Sequence, residues 1–126
     1  MTHSTKQNRH LPAFLLLFLL EKPMHGGMLF TKIQESLHHV DQLDSGAIYR
    51  VLRDLESKNL VHSSWNTKDI GPAKRIYTIT ETGKIEVKRW YDDIALRKKN
   101  LDFFLLHYNF LVDQARSTTD ESDEKG

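Results

Sequence analysis

Apolar residues fill positions 11–20 almost without interruption (LPAFLLLFLL), recur at Leu29, Ile33 and Leu37, and return at Ile48, Val51, Leu52 and Leu55. The first run is apolar on nearly every side and predicts a buried helix over Leu11–Glu21. Pro12 stands in its first turn, where a missing N–H costs nothing. After the break at Lys22-Pro23-Met24-His25-Gly26-Gly27, the four-residue spacing predicts a second helix to about His38 with one buried stripe, and Val40–Leu43 make a short connection. The third set follows the i, i+3, i+4, i+7 pattern of a core-facing stripe. That helix starts at Asp44 or Ser45, both good N-caps, and ends at Asn59, which tolerates the left-handed backbone used at helix ends.

Residues Val61–Asn66 and Arg75–Thr80 alternate as strands do, with Val61, Ser63 and Trp65 on one face and then Tyr77 and Ile79. Gly71-Pro72 marks the turn between them. The fold class is therefore mainly α with a small antiparallel β-hairpin: a winged helix-turn-helix over residues 11–80, preceded by a flexible arm at 1–10.

A fourth helix restarts at Thr80-Glu81-Thr82-Gly83 and runs to about Ala115. Val87, Tyr91, Ile94, Lys98, Leu101, Leu105, Tyr108 and Val112 fall at alternating three- and four-residue steps, a coiled-coil-like seam spoiled only by Lys98. Thirty-odd residues extend about 50 Å, more than this small domain can cover, so a helix from a second subunit is the simplest cover. The expected dimerisation residues are Phe14, Phe18, Val87, Tyr91, Leu101, Leu105, Tyr108 and Val112, with 81–115 as the dimerisation helix. The cluster Arg97-Lys98-Lys99-Asn100 leaves open whether that helix is continuous or broken. Residues 116–126 read as a disordered acidic tail.

Composition narrows the function classes. At 126 residues the chain can bury a real core, and a net charge of +1 means that any nucleic-acid argument must rest on where the charges lie. No cysteine is present, which excludes disulfides and thiolate metal sites and fits a reducing cytoplasm. A basic start before an apolar run imitates a signal peptide, but no small-residue cleavage pattern follows and ten apolar residues are too few to span a bilayer. His38 and His39 are adjacent and point about 100° apart on a helix, and His25, His62 and His107 are scattered, so no metal ligand set is expected. Neither a phosphate-binding glycine loop nor a nucleophile turn occurs. No enzyme activity or cofactor is expected.

The third helix exposes Ser45, Gly46, Tyr49, Arg50 and Arg53, and the hairpin carries Lys68, Lys74 and Arg75 near its tip. Arginine and lysine neutralise phosphates, arginine reads guanine in the major groove, and the first N–H groups of a helix favour anions. These eight residues are the expected DNA contacts. The bland alternative is a solvated helix, with Arg50 paired to Asp54 and Arg53 to Glu56 or Ser57. Trp90, Tyr91, Phe103, Phe104, Tyr108 and Phe110 gather on the last helix, where packing is the simpler reading. Trp90, with Ile94, is the candidate for effector contact.

FLLLFLLEKPMHGGMLFTKI, SGAIYRVLRDLESKNLV and GPAKRIYTITETGK resemble the PadR family of bacterial transcriptional regulators over about Leu11 to Lys84. The resemblance implies a winged helix with a C-terminal dimerisation helix and a homodimeric repressor, which in some members a small aromatic effector releases; two-fold symmetry then predicts a pseudo-palindromic operator. By position it puts Ser45, Gly46, Tyr49 and Arg53 in the recognition helix, Gly71, Pro72, Lys74 and Arg75 in the wing, and Tyr77 in the wing's return strand. The family commonly has an aromatic where this chain has Gly27, and proline where it has Arg50. Two rivals stand beside this reading: a winged-helix protein-interaction module without specific DNA binding, and a metal-responsive regulator.

Overall fold

A computed structural model describes residues 9–38, 40, 42–68 and 71–125, with side chains as far as Thr118. Most of the expected N-terminal arm, His39 and the last tail residue lie outside them. The elements in chain order are α1 (Leu11–Glu21), β1 (Met24–His25), α2 (Gly26–Ser36), α3 (Ser45–Ser57), β2 (Val61–Asn66), β3 (Lys74–Ile79) and α4 (Glu81–Lys125). The chain divides into two compact units between Trp90 and Tyr91, so the first ten residues of α4 belong with the winged helix.

In the first unit, Leu15, Leu16 and Leu19 of α1 meet Leu29 and Ile33 of α2 and Ile48, Leu52 and Leu55 of α3 in one buried cluster. The stripe expected on α3 is thus the one that packs, and Val51 rests against its edge. Asp44 rather than Ser45 caps α3: its Oδ1 accepts from the Ala47 N–H at 2.8 Å. Asn59 ends the helix at φ 61°. There the Leu60 N–H donates to Leu55 O and the Asn59 N–H to Glu56 O, both at 3.0 Å. This doubly bonded terminus brings Leu60 back onto Leu55, and both are buried.

The hairpin is wider than expected. β3 lies between β2 and the two-residue β1 in an antiparallel sheet, with Met24 opposite Tyr77 and His25 opposite Ile76. The expected break at residues 22–27 thus contains a strand. Two residues carry no alternation to read, and only the exposed edge of β3 makes them one. α2 ends at Ser36, short of His38, although Leu37 still packs against the core. Trp65 does not share the burial of Val61; it is 61% exposed, because the outer half of the hairpin extends past the core.

Thr80 joins sheet to helix. Its hydroxyl donates to the Asn59 and Leu60 carbonyls and accepts the Gly83 N–H at 2.9 Å, capping α4. Val87 and Trp90 then pack against the core.

In the second unit α4 passes through Arg97–Asn100 unbroken, with Arg97 Nε on Asp93 Oδ2 and Lys98 Nζ on Asp102 Oδ2, both at 2.8 Å. It does not stop near Ala115 but continues to Lys125, where a disordered tail was expected. Extending a helix already formed adds a hydrogen bond for each residue fixed, whereas starting one does not, so a polar segment can follow an established helix. Leu101, Phe104, Leu105, Tyr108 and Leu111 follow one line along this part, and Leu96, Phe103, Leu106 and Phe110 a second. All nine are at least half exposed, while Val112 is partly covered. Among the described residues no helix is long and apolar enough to cross a membrane.

Candidate nucleic-acid interface

α3 and the wing enclose an open cleft of about 670 Å³. α3 contributes Gly46, Tyr49, Arg50 and Arg53; the wing contributes Trp65, Ala73, Lys74, Arg75 and Tyr77; His25 and Gly27 close one end from the start of α2. Four of these residues are cationic and none is acidic. Of the expected contacts, only Ser45 and Lys68 do not line it. Lys68 is exposed beyond β2, its backbone N–H turned onto Asn66 Oδ1. At the start of α3 the Asp44 carboxylate already takes a first-turn N–H and puts a negative charge there, so that helix end is a poorer phosphate site than expected.

The acidic residues of α3 are engaged away from the cleft. Asp54 pairs with Lys58 at 3.0 Å rather than with Arg50. Glu56 accepts the Ser63 hydroxyl at 2.7 Å rather than pairing with Arg53. Among the described residues Arg50, Arg53 and Lys74 make no ion pair, so the self-paired helix surface is not the arrangement found.

Arg75 is held differently. Its Nε donates to Ser63 Oγ at 2.7 Å, and its guanidinium lies 5.5 Å from the Trp65 ring centre. The chain Arg75–Ser63–Glu56 therefore ties the wing to α3 and gives Arg75 a defined position before any ligand arrives. Ser63 and Glu56 were not among the expected site residues, because the link depends on strand register and has no signature in local spacing.

Gly26 fixes the other wall. A Cβ there would stand 2.5 Å from the Tyr49 ring and 2.8 Å from its hydroxyl, so the phenol lies directly over the start of α2. His25, in β1, accepts the Met28 N–H through Nδ1 at 3.2 Å and caps α2, a role its isolated place in the sequence did not suggest. Burial pushes the Tyr77 phenol above its usual range, against the pull of the nearby Arg75 guanidinium.

The remaining expected residues lie elsewhere. Phe18 is buried in the core with the Lys32 ammonium 5.7 Å from its ring centre, and Phe14 packs on that core. Trp90 meets His10 edge-on at 5.7 Å. Ile94 and Tyr91 are exposed in the second unit, as are Leu101, Leu105 and Tyr108. Among the described residues no group of three or more histidine or acidic side chains is placed to hold a metal ion.

Comparison with known proteins agrees with this geometry. Residues 15–89 match the model of the transcriptional regulator PadR-like family. A Mycobacterium tuberculosis protein named as a probable transcriptional regulator is 30% identical over 80 residues, which are 64% of this chain and 42% of that protein; the chain thus spans less than half the length of this curated relative. A PadR family regulator from Clostridium difficile superposes with a TM-score of 0.68 at 25% identity, over 76% of this chain and 98% of the other. Bacillus subtilis PadR, solved in complex with operator DNA, superposes with a TM-score of 0.59 over 67% of this chain and 48% of its own; at 23% identity it shows a shared fold. With more than half of its residues in the matched domain, the chain belongs to the PadR-like family of transcriptional regulators.

Proposed function

We propose that this chain is a homodimeric DNA-binding regulator that represses transcription, with α3 in the major groove and the wing on the adjacent backbone. The observation that carries this reading is the cleft itself. Arg50, Arg53 and Lys74 face it without an ion pair among the described residues, and no carboxylate lines it. A polyanion is the occupant that such a surface attracts. Arg50 and Arg53 on α3 are suited to base edges, and Lys74 and Arg75 to phosphates. The Bacillus subtilis relative solved on operator DNA supports the same reading.

Dimerisation is supported by the exposed apolar lines of α4, and two-fold symmetry then implies a pseudo-palindromic operator with half-sites one helical turn, or a multiple, apart. Release by a small aromatic effector near Trp90 is supported at one point: among the described residues His10 Nε2, beside the Trp90 ring, is buried without a hydrogen-bond partner. Such a protein would work in the cytoplasm.

The test is an anisotropy titration against the duplex upstream of the gene, beside a random duplex, repeated with a panel of aromatic compounds. The upstream duplex should bind at least tenfold more tightly. Equal binding of both would favour a protein-interaction module instead.

A further inference from the structure

Tyr77 is the one residue of the cleft that belongs to the core. It is 3% exposed, sits in the central strand of the sheet, and lines the cleft with the little surface it retains. Its hydroxyl makes no hydrogen bond among the described residues. The side chain is buried while its hydroxyl is not sealed off from solvent, and Arg50, Arg53, Lys74 and Arg75 line the same cleft. Arg75, Glu56, Tyr49 and Arg53 are the groups close enough to act on it. Of these, Glu56 is already taken by Ser63. A phenol is protonated, hence a donor, throughout the neutral range, and burial moves this one further in that direction.

The surroundings supply further donors. The Tyr49 phenol lies over the start of α2. There His25 has taken the Met28 N–H, while Gly27, at the second position of the helix and on the cleft wall, has an N–H that no carbonyl within the helix can accept. Hydroxyls, a first-turn N–H and arginines converging on an open cleft form a set of donors that suits an anion. The cleft is too open to enclose a small ion, but it suits one link of an extended anionic chain.

We propose that Tyr77, with Tyr49 and the Gly27 N–H, forms a seat for one phosphodiester of the DNA backbone at the floor of the cleft, where the Tyr77 hydroxyl donates to a non-bridging oxygen. The seat rests on the DNA-binding reading above and adds a contact below the cationic rim. It fixes the depth and register of α3 and carries no base preference.

The test compares the native full chain with Tyr77→Phe by anisotropy on the upstream duplex and on a random duplex, with thermal unfolding of both free proteins. Phenylalanine removes only an unpaired hydroxyl, so the free variant should melt at or above the native temperature. Its affinity should fall about tenfold on both duplexes, as expected for losing a hydrogen bond to a charged group. The salt dependence should not change, because a neutral phenol displaces no counterion. Duplexes carrying single methylphosphonate linkages locate the seat: one linkage per half-site should weaken the native protein and leave Tyr77→Phe nearly unaffected. A variant that binds as the native chain does would overturn the seat and leave the proposed function standing. So would one that melts lower, since the hydroxyl would then have a partner inside the protein. A native chain that binds neither duplex would overturn both.

Discussion

Leu52 on α3 and Leu105 on α4 are the same residue on the same kind of helix, in opposite surroundings. Leu52 is 0% exposed and Leu105 is 58% exposed. Around Leu52 the neighbours come from α1, α2 and the sheet, so a single chain completes the core. Around Leu105 the apolar neighbours Leu101, Tyr108 and Leu111 are equally open to water. Burying such side chains contributes roughly 1.5–3 kcal/mol each, and a contiguous exposed line of them marks an interaction surface. Similar apolar spacing thus ends as a core in one place and as an exposed line in another. Length decides between them: a short amphipathic helix is covered by its own domain, and a 45-residue one is not.

The strongest way to break this comparison is in the core. Leu52→Ala should cost about 2–5 kcal/mol in urea unfolding, because no solvent-facing relaxation can fill the space. A loss below 1 kcal/mol would show the α3 packing to be wrong. Next is the exposed line. Phe104→Glu puts a charge on a side chain that is 66% exposed in the single chain. If a second subunit covers it, association should weaken by tenfold or more, seen as a shift to monomer mass in sedimentation, while the unfolding of residues 9–90 stays nearly native. An unchanged mass would place the subunit contact elsewhere. The smallest effect is alkaline. The folded-state pKa of Tyr77 is raised by burial, so its contribution to stability is complete below the ordinary phenol pKa of about 10 and is lost as pH rises through the folded value. Stability should therefore decline above about pH 10, and Tyr77→Phe should flatten that decline. A parallel decline in both proteins would refute the assignment.

Much of the architecture was legible in periodicity. Ile48, Leu52 and Leu55 face inward because their spacing demands it, and Asn59 adopts the left-handed backbone expected of it. Once that stripe was placed, Gly46, Tyr49, Arg50 and Arg53 had to lie on the opposite side, and the structure puts them in the cleft with Lys74 and Arg75. What could not be read depends on register between distant segments. β1 exists only through its pairing with β3, the Arg75–Ser63–Glu56 chain needs β2 and β3 in register, and Tyr77 reaches the cleft from a strand whose alternation marks it as core. The choice between Asp44 and Ser45 as the cap stayed open, and the helical continuation to Lys125 was missed, for a different reason: both turn on local competition between neighbouring residues, which spacing does not resolve.

The central claim is that the cations of the cleft meet DNA phosphates, and the salt dependence of binding tests it most directly. For native protein and the double variant Lys74→Ala, Arg75→Ala, affinity for the upstream duplex is measured across a range of salt. Each phosphate contact removed should reduce the log–log slope by about 0.9, so the variant should bind more weakly with a slope smaller by roughly 1.8. An unchanged slope with unchanged affinity would mean that the cleft is not where this protein holds DNA.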